Sequence, residues 1–482
     1  MLEDIISERR QKLDAYRKIS DPYPARVRRT VSLAEFREGF ETLGQQKKPI
    51  VLVGRVRALR DQGKIVFCDI EDASGRCQVV LDGEHLKKID ELKSLVDIGD
   101  FVEGVGAPYL TKRGEKSLMV SEFRIITKSL RPIPQNWYGL EDVETRLRRR
   151  YLDLIANPES RTFFEKKSIF WESIRAFLAK EGFVSVETPV LESVPGGAEA
   201  EPFTTHHNAL DRDFYLRISL ELPLKKLLVG GYEKVFEIGR IFRNEGIDRE
   251  HLQDYTQMEC YWAYADYNDM MRFVESMYKE TIKKTFGTLT TTYMGQTLDW
   301  EKPWEKVEYY EIFKKETGID LSKVTIDELK KFAEKEKLRP EKNAGRGRLI
   351  DLIYKKAVRP KLVKPCFLVN PPVDVEPLAK RMEEDPNRVE RFQILAGGTE
   401  LGKGFSELND PLDQRTRFEE QMKLRETGDR EAQMLDEDFL EALEYGMPPA
   451  AGFGVSERLF AVLADKPVRE ATLFPLMKEE SK

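Results

Sequence analysis

The chain of 482 residues is 34% charged and 40% hydrophobic with a net charge of −6, which describes a globular protein too long for a single core. No run of 18 or more uncharged apolar residues is present to span a bilayer, and the opening MLEDIISERRQKLDAYRK is a charged helical pattern without the apolar centre of a signal peptide. Four scattered cysteines with no CxxC pair argue against a zinc site or disulfide framework and for the cytoplasm, and four histidines leave little for imidazole chemistry.

Residues 1–45 read as a helical extension. From 46 to 135 the pattern changes to five short strands: IVLVGRVRAL, KIVFCDIED, GRCQVVL, FVEGVGAPYL and SLMVSEFRII. A helical segment, EHLKKIDELKSL, follows the third of them. That order predicts a small Greek-key barrel of the OB type, a fold that stacks single-stranded bases on aromatics beside basic residues. Arg55, Arg57, Arg60, Phe67 and Gln78 are the candidates on its strands. Residues 1–150 hold 29 Lys and Arg against 24 Asp and Glu, whereas the remainder holds 50 against 61. A basic front on an acidic body permits a polyanionic partner at one end.

Residues 136–160 read as a linker becoming a basic helix, and the body from 161 to 482 as a second domain. Phe163, Phe170, Ile174, Phe177 and Leu178 fall at helical spacing, followed by a strand-like VSVETPVL interrupted at Pro189. Residues 235–264 predict a β-hairpin. Phe236, Ile238, Met258, Cys260 and Trp262 form an apolar face, and Arg243, Glu245, Glu259 and Tyr261 share the other. The charged loop between its arms is longer than chain reversal needs. Residues 305–360 are Lys/Glu-rich and predict a helical insertion.

In 391–410, strand parity places Lys403, Phe405 and Glu407 on one face and Glu400 on the other. In AGFGVSERLF, Gly452 and Gly454 precede a helix with Ser456 as cap and Arg458 in the first turn. A cation at that positive helix end makes sense beside a bound anion.

Together these segments resemble the class II aminoacyl-tRNA synthetases, the lysine enzymes in particular. FRNE at 242–245 and GFGVSERLF at 452–460 are similar to two of that family's motifs, and the helix and strand ending at Pro189 to a third. RYLDLIANPESR, PGGAEAEPFTTHHNALD, LVGGYEKVFEIGR and GFSELND are similar to the lysine enzymes. The resemblance implies an α+β multidomain protein: an anticodon-reading OB-fold barrel joined to a class II catalytic domain whose antiparallel sheet is flanked by helices. It implies a cytoplasmic homodimer that joins L-lysine to tRNA(Lys) through a lysyl-adenylate, with ATP as substrate and Mg2+ as cofactor. Neither membrane nor DNA has a part in that reaction.

By the same resemblance, Arg243 holds the α-phosphate and the lysine carboxylate, and Arg458 the far end of the triphosphate; these two are the catalytic candidates. Glu245 and Tyr255 would hold adenine, His251 would approach the phosphates, and Glu400 with Gln393 would bind the metal. Gly197 and Glu221 would take the α-amino group, with Lys403 and Phe405 beside the substrate. Glu259, Tyr261 and Glu407 would receive the side-chain ammonium. Arg60, Phe67 and Gln78 would read the anticodon. Four departures from the family pattern stand out: Glu250-His251-Leu252 in place of Arg-His-Asn, Gln393 for Glu, Lys403 for Asn and Ser456 for Gly. Two other readings stand beside this one: an aspartate or asparagine enzyme of the same subclass, and a non-catalytic RNA-binding or regulatory paralogue.

Overall fold

The computed structural model describes residues 2–86, 89–133, 142–246, 252–340, 344–426 and 428–479. The chain divides into two compact units, residues 1–141 and 142–482.

The first unit opens with helix α1 (Leu2–Arg17) and contains strands β1 (Ile50–Asp61), β2 (Ile65–Asp72) and β3 (Gly75–Asp82), helix α2 (Ile89–Leu95), and strands β4 (Phe101–Leu110) and β5 (Lys116–Thr127). The strands close into a barrel in the order β1-β2-β3-β5-β4. Alternate residues such as Val66, Cys68 and Ile70 turn inward to a core that includes Leu52, Val79 and Leu118. Helix α1 is part of this unit, not a loose extension. The buried Arg9 donates to the carbonyls of Ser129, Arg131 and Ile98 at 2.9, 3.1 and 3.0 Å.

The second unit starts earlier than the sequence suggests. Helices α3 (Val143–Arg148) and α4 (Arg150–Ala156) occupy most of the expected linker. Arg146 and Arg150 both donate to the buried Asp153, at 2.9 and 2.8 Å, and Arg150 also reaches the carbonyl of Leu473 at 3.1 Å. A basic run that reads as solvated is therefore neutralised from inside. Helix α5 (Pro158–Lys180) follows, with Asn157 as cap and proline at its first position.

The remaining elements of the main sheet and its cover are β6 (Val184–Ser185), helix α6 (Glu221–Val229), β7 (Lys234–Phe242), β8 (Asp254–Ala263), helix α7 (Tyr267–Phe286), β9 (Glu305–Glu308), β10 (Cys366–Val369), β11 (Arg391–Ala396), β12 (Thr399–Ser406) and β13 (Ala450–Ser456). Strand order is β9-β10-β11-β12-β13-β8-β7-β6. Internal pairs are antiparallel, and the edge pairs β9–β10 and β6–β7 are parallel. The expected strand before Pro189 is thus only the two residues of β6. The stretch 305–308 joins the sheet as β9, and the helices of the insertion begin after it.

Cross-strand partners point to the same side of a sheet. The row Phe392, Gly404, Phe453, Cys260 and Phe236 faces α5 and α7, where Phe170, Ile174, Phe177, Val274 and Met277 complete the core. The opposite parity carries the polar residues, so burying one face under helices leaves the other for chemistry.

Candidate active site and anticodon surface

The polar face of the sheet floors a cavity of about 470 Å³. Two cross-strand rows define it: Gln393–Lys403–Gly454–Glu259 and Arg391–Phe405–Gly452–Tyr261. The glycines of β13 open a trough between the flanking side chains. A Cβ on Gly452 would collide with Glu407 Oε1 and with the Tyr261 ring. At the rim Gly197 has φ +84, and a Cβ there would meet Ser219 Oγ and Glu221 Cβ at 2.8 Å, so only glycine lets this backbone approach Glu221.

Glu259 is fixed before any ligand arrives. Its Oε1 accepts from Ser219 Oγ at 2.9 Å, Leu220 N at 3.0 Å and Gln257 Nε2 at 2.6 Å, while its Oε2 accepts from Tyr261 OH at 2.9 Å. Four donors hold this buried carboxylate as a negative charge fixed in place. Burial, reinforced by Glu221, Glu259 and Glu407, raises the Tyr261 phenol far above its ordinary range, so it stays a donor.

Arg243, half-buried beyond the end of β7, donates through Nε to Ile218 O at 3.3 Å, and its guanidinium lies 5.7 Å from the Tyr255 ring centroid. Arg458 opens helix α8 (Arg458–Leu463) and also lines the cavity. Two details of its setting differ from expectation. The glycine-containing stretch before it is strand β13, and the helix cap is Glu457, although Ser456 Oγ does accept from Arg458 N at 3.3 Å. The buried Glu457 carboxylate pairs with Lys167 of α5, which also donates to Ala471 O at 2.7 Å and ties this junction to the core.

The structure overturns the strand parity expected for Glu400. The register slips between Ile394 and Leu395 of β11, where Gly402 and Glu400 are the successive partners on β12. Leu401 is the extra residue of a β-bulge, and its carbonyl accepts from the buried Tyr278 OH at 2.7 Å. The bulge returns Glu400 to the cavity with Lys403. Burial favours protonation of Glu400, but Arg391, Arg458, Lys403 and Arg359 outweigh it and hold the carboxyl below its usual range. Gln393 donates its amide nitrogen to Glu400 at 2.8 Å while its Oε1 accepts from Tyr354 OH at 3.1 Å. It stands as a donor to Glu400, the reverse of what ligation through its amide oxygen needs. Among the described residues no group of three His, Cys, Asp or Glu is assembled for a metal.

Lys403 donates to Glu376 at 2.9 Å, and Arg391 Nε lies 3.3 Å from the same oxygen. Lys403 and Arg391 hold the Glu376 carboxyl below its usual range against the effect of burial. Nothing in the sequence pattern flags Glu376, Arg391 or Lys225 as part of the site or its surroundings; each reads as an ordinary polar residue until the fold brings it inward.

Two further expectations change. Glu245 does not line the cavity; its amide donates to Arg243 O at 2.9 Å just past the strand. Glu407 sits behind the wall, 1% exposed, its carboxylate paired with Lys225 of α6. Glu250 and His251 lie outside the described residues, whereas Leu252 is 8% exposed and joins the main core.

On the barrel, Arg60 of β1 pairs in register with Phe67 of β2, and Asp69 of β2 with Gln78 of β3. Arg60 holds Asp69 through two bonds of 2.9 and 3.0 Å, and Gln78 reaches the same carboxylate at 3.4 Å. The three candidates therefore share one outward patch, knitted by an aspartate that nothing in the sequence pattern singles out.

Residues 142–478 match the family described as tRNA synthetases class II (D, K and N), and residues 50–126 match the OB-fold nucleic acid binding domain. The chain is 45% identical over 480 residues to the lysine–tRNA ligase of Moorella thermoacetica, covering 98% of each. It is 43% identical to that of Roseiflexus castenholzii over 99% of both chains, and 42% identical to that of Thermotoga maritima over 99% of this chain and 97% of the relative. An OB barrel, a class II sheet with its charged trough and full-length similarity agree: the chain belongs to the class II aminoacyl-tRNA synthetases, in the lysine–tRNA ligase family.

Proposed function

We propose that the cavity activates L-lysine with ATP and passes the lysyl group to the 3′ end of tRNA(Lys), whose anticodon rests on Arg60, Phe67 and Gln78. The observation that carries this reading is the trough between Glu259 with Tyr261 on one side and Lys403 with Phe405 on the other. Its acidic wall suits the side-chain ammonium, and Phe405 the aliphatic stem. Glu221 and the backbone of Gly197 face the α-ammonium, and Glu407 supports the acidic wall from behind. Aspartate would leave Glu259 without a cation, at about 2–4 kcal/mol, or roughly 30- to 900-fold in discrimination.

An amino-acid carboxylate is already ionised at neutral pH, so attack on the α-phosphate needs no general base. Alignment and charge stabilisation are what remain to be supplied. Arg243, Tyr255 and Arg458 line one cavity, which supports Arg243 taking the α-phosphate and the lysine carboxylate, Arg458 the far phosphates and Tyr255 adenine, with Glu245 and His251 assigned to the nucleotide by family resemblance. Glu400 is one of the carboxylates lining the cavity, and Mg2+ characteristically takes one or two carboxylates together with phosphate oxygens and water. Glu400 would hold Mg2+ entering with ATP, with Gln393 steadying that carboxylate, and the ion would supply neutralisation of phosphate charge.

Exposed apolar residues in and beside the helix and strand ending at Pro189, namely Ile169, Val184, Val190 and Leu191, favour a second copy of the chain as partner. Four free, buried cysteines suit the reducing cytoplasm.

An amino-acid panel in ATP–pyrophosphate exchange tests the reading: exchange with lysine alone supports it, and exchange with aspartate or asparagine instead sinks it. Silent exchange with retained tRNA binding would establish the non-catalytic alternative. Burial pushes the Glu221 carboxyl up to about 7 against the pull of Lys225. Since the ionised form is needed for the α-ammonium, KM for lysine is expected to rise as pH falls through about 7, read from exchange kinetics between pH 6 and 9. Phe67→Ala should raise KM for tRNA by about 5- to 150-fold, the value of one base stack of about 1–3 kcal/mol, while leaving pyrophosphate exchange unchanged; parallel loss of both activities would contradict a separate anticodon surface.

A further inference from the structure

Lys225 is 0% exposed, a rare state for a lysine side chain. Its ammonium donates to Glu221 Oε1 at 2.5 Å and pairs with Glu407, and it lies 5.3 and 6.0 Å from the ring centroids of Phe405 and Phe439. The first carboxylate is a wall of the cavity, and the second stands just behind it. The pocket read above as a receptor for a diamine thus already contains an ammonium of the chain's own. Fully ionised, Glu221, Glu259 and Glu407 would carry three negative charges, and Lys225 reduces them to two. The substrate brings two ammonium groups, at its α and ε positions.

We infer that Lys225 is a specificity-determining and positioning residue, whose buried ammonium matches the charge of the acidic wall to the two ammonium groups of a lysine substrate. Resting on the lysine reading of the cavity, this role is carried out without contact with the reacting atoms. Burial raises the carboxyls of both Glu221 and Glu407, and Lys225 is the leading opposing influence on each. Lys225 in turn is pushed up to about 12, because Glu221 and Glu407 outweigh its own desolvation. The other charged groups acting on the cluster are Glu259 and Lys403, which act on Glu221, and Glu376, which acts on Glu407. Glu376 is itself occupied by Lys403 and Arg391. Without Lys225 the carboxylates would take up protons, and lysine would have to displace them on binding.

The test is lysine binding by titration calorimetry and lysine KM in pyrophosphate exchange, from about pH 6 to 9, for the wild type, Lys225→Met and the double variant Lys225→Met/Glu407→Gln. For Lys225→Met, KM at neutral pH should rise ~10-fold, with kcat held within ~3-fold and the pH inflection moved up by ~1 unit. The double variant removes both members of the buried pair, so its inflection should return to within ~0.5 unit of the wild type. If Lys225→Met fails to fold, the double variant alone decides, because an inflection still displaced upward contradicts charge matching. A folded Lys225→Met with unchanged affinity and inflection, or with a loss equal at every pH, overturns the inference and leaves a packing residue. A wild-type chain that binds no lysine overturns this inference together with the reading it rests on.

Discussion

Arg243→Ala will lower kcat/KM for lysine-dependent pyrophosphate exchange by about 1,000-fold or more, roughly 4 kcal/mol of transition-state stabilisation. The attacking carboxylate and the α-phosphate are both anions, and their approach is opposed until a fixed cation lies between them. Arg243 is suited to that place by the end of β7, by its Nε bond to Ile218 O at 3.3 Å and by the Tyr255 ring beneath it. Arg391, Arg359 and Lys403 do not substitute for it, because their charge is directed at Glu400 or Glu376. The fold should survive, since Arg243 is half-buried and stands outside the α5–α7 core. Circular dichroism and tRNA binding would check that. Exchange within about threefold of the wild type would remove Arg243 from the reaction.

The second large effect is expected at Glu259. Glu259→Gln should raise KM for lysine by about 100- to 1,000-fold, or roughly 3–4 kcal/mol, with a smaller change in kcat. The reason lies in its four donors. A glutamine must turn its NH2 either toward Ser219, Leu220 N and Gln257 or toward Tyr261 and the incoming ammonium. Each orientation sets donor against donor, so the variant loses geometry as well as charge. A lysine KM within about threefold of the wild type would disprove a cation receptor at this position.

Much of this is legible in the sequence because strand parity and local motifs carry it. The five barrel strands lie where alternation puts them, and Arg243, Glu259 and Tyr261 face the cavity as the hairpin pattern requires. Three features escape the sequence pattern for separate physical causes. The segment 142–156 reads as a linker becoming a basic helix, and the pattern does not show that Arg146 and Arg150 share the buried Asp153. For Glu407, parity gives its face but not its counter-ion, which comes from Lys225, 182 positions earlier in the chain. Glu400 falls on the wrong side by parity because a bulge adds a residue without leaving any mark in an alternating pattern.

That bulge divides β12 into two halves with independent phase. Upstream of Leu401 the strand turns Glu400 into the cavity, and downstream it turns Lys403 and Phe405 there. One hydroxyl, that of Tyr278, occupies the carbonyl that the extra residue releases. Tyr278 thus ties the phase of Glu400 to helix α7, while Lys403 and Phe405 take theirs from the neighbouring strands β11 and β13.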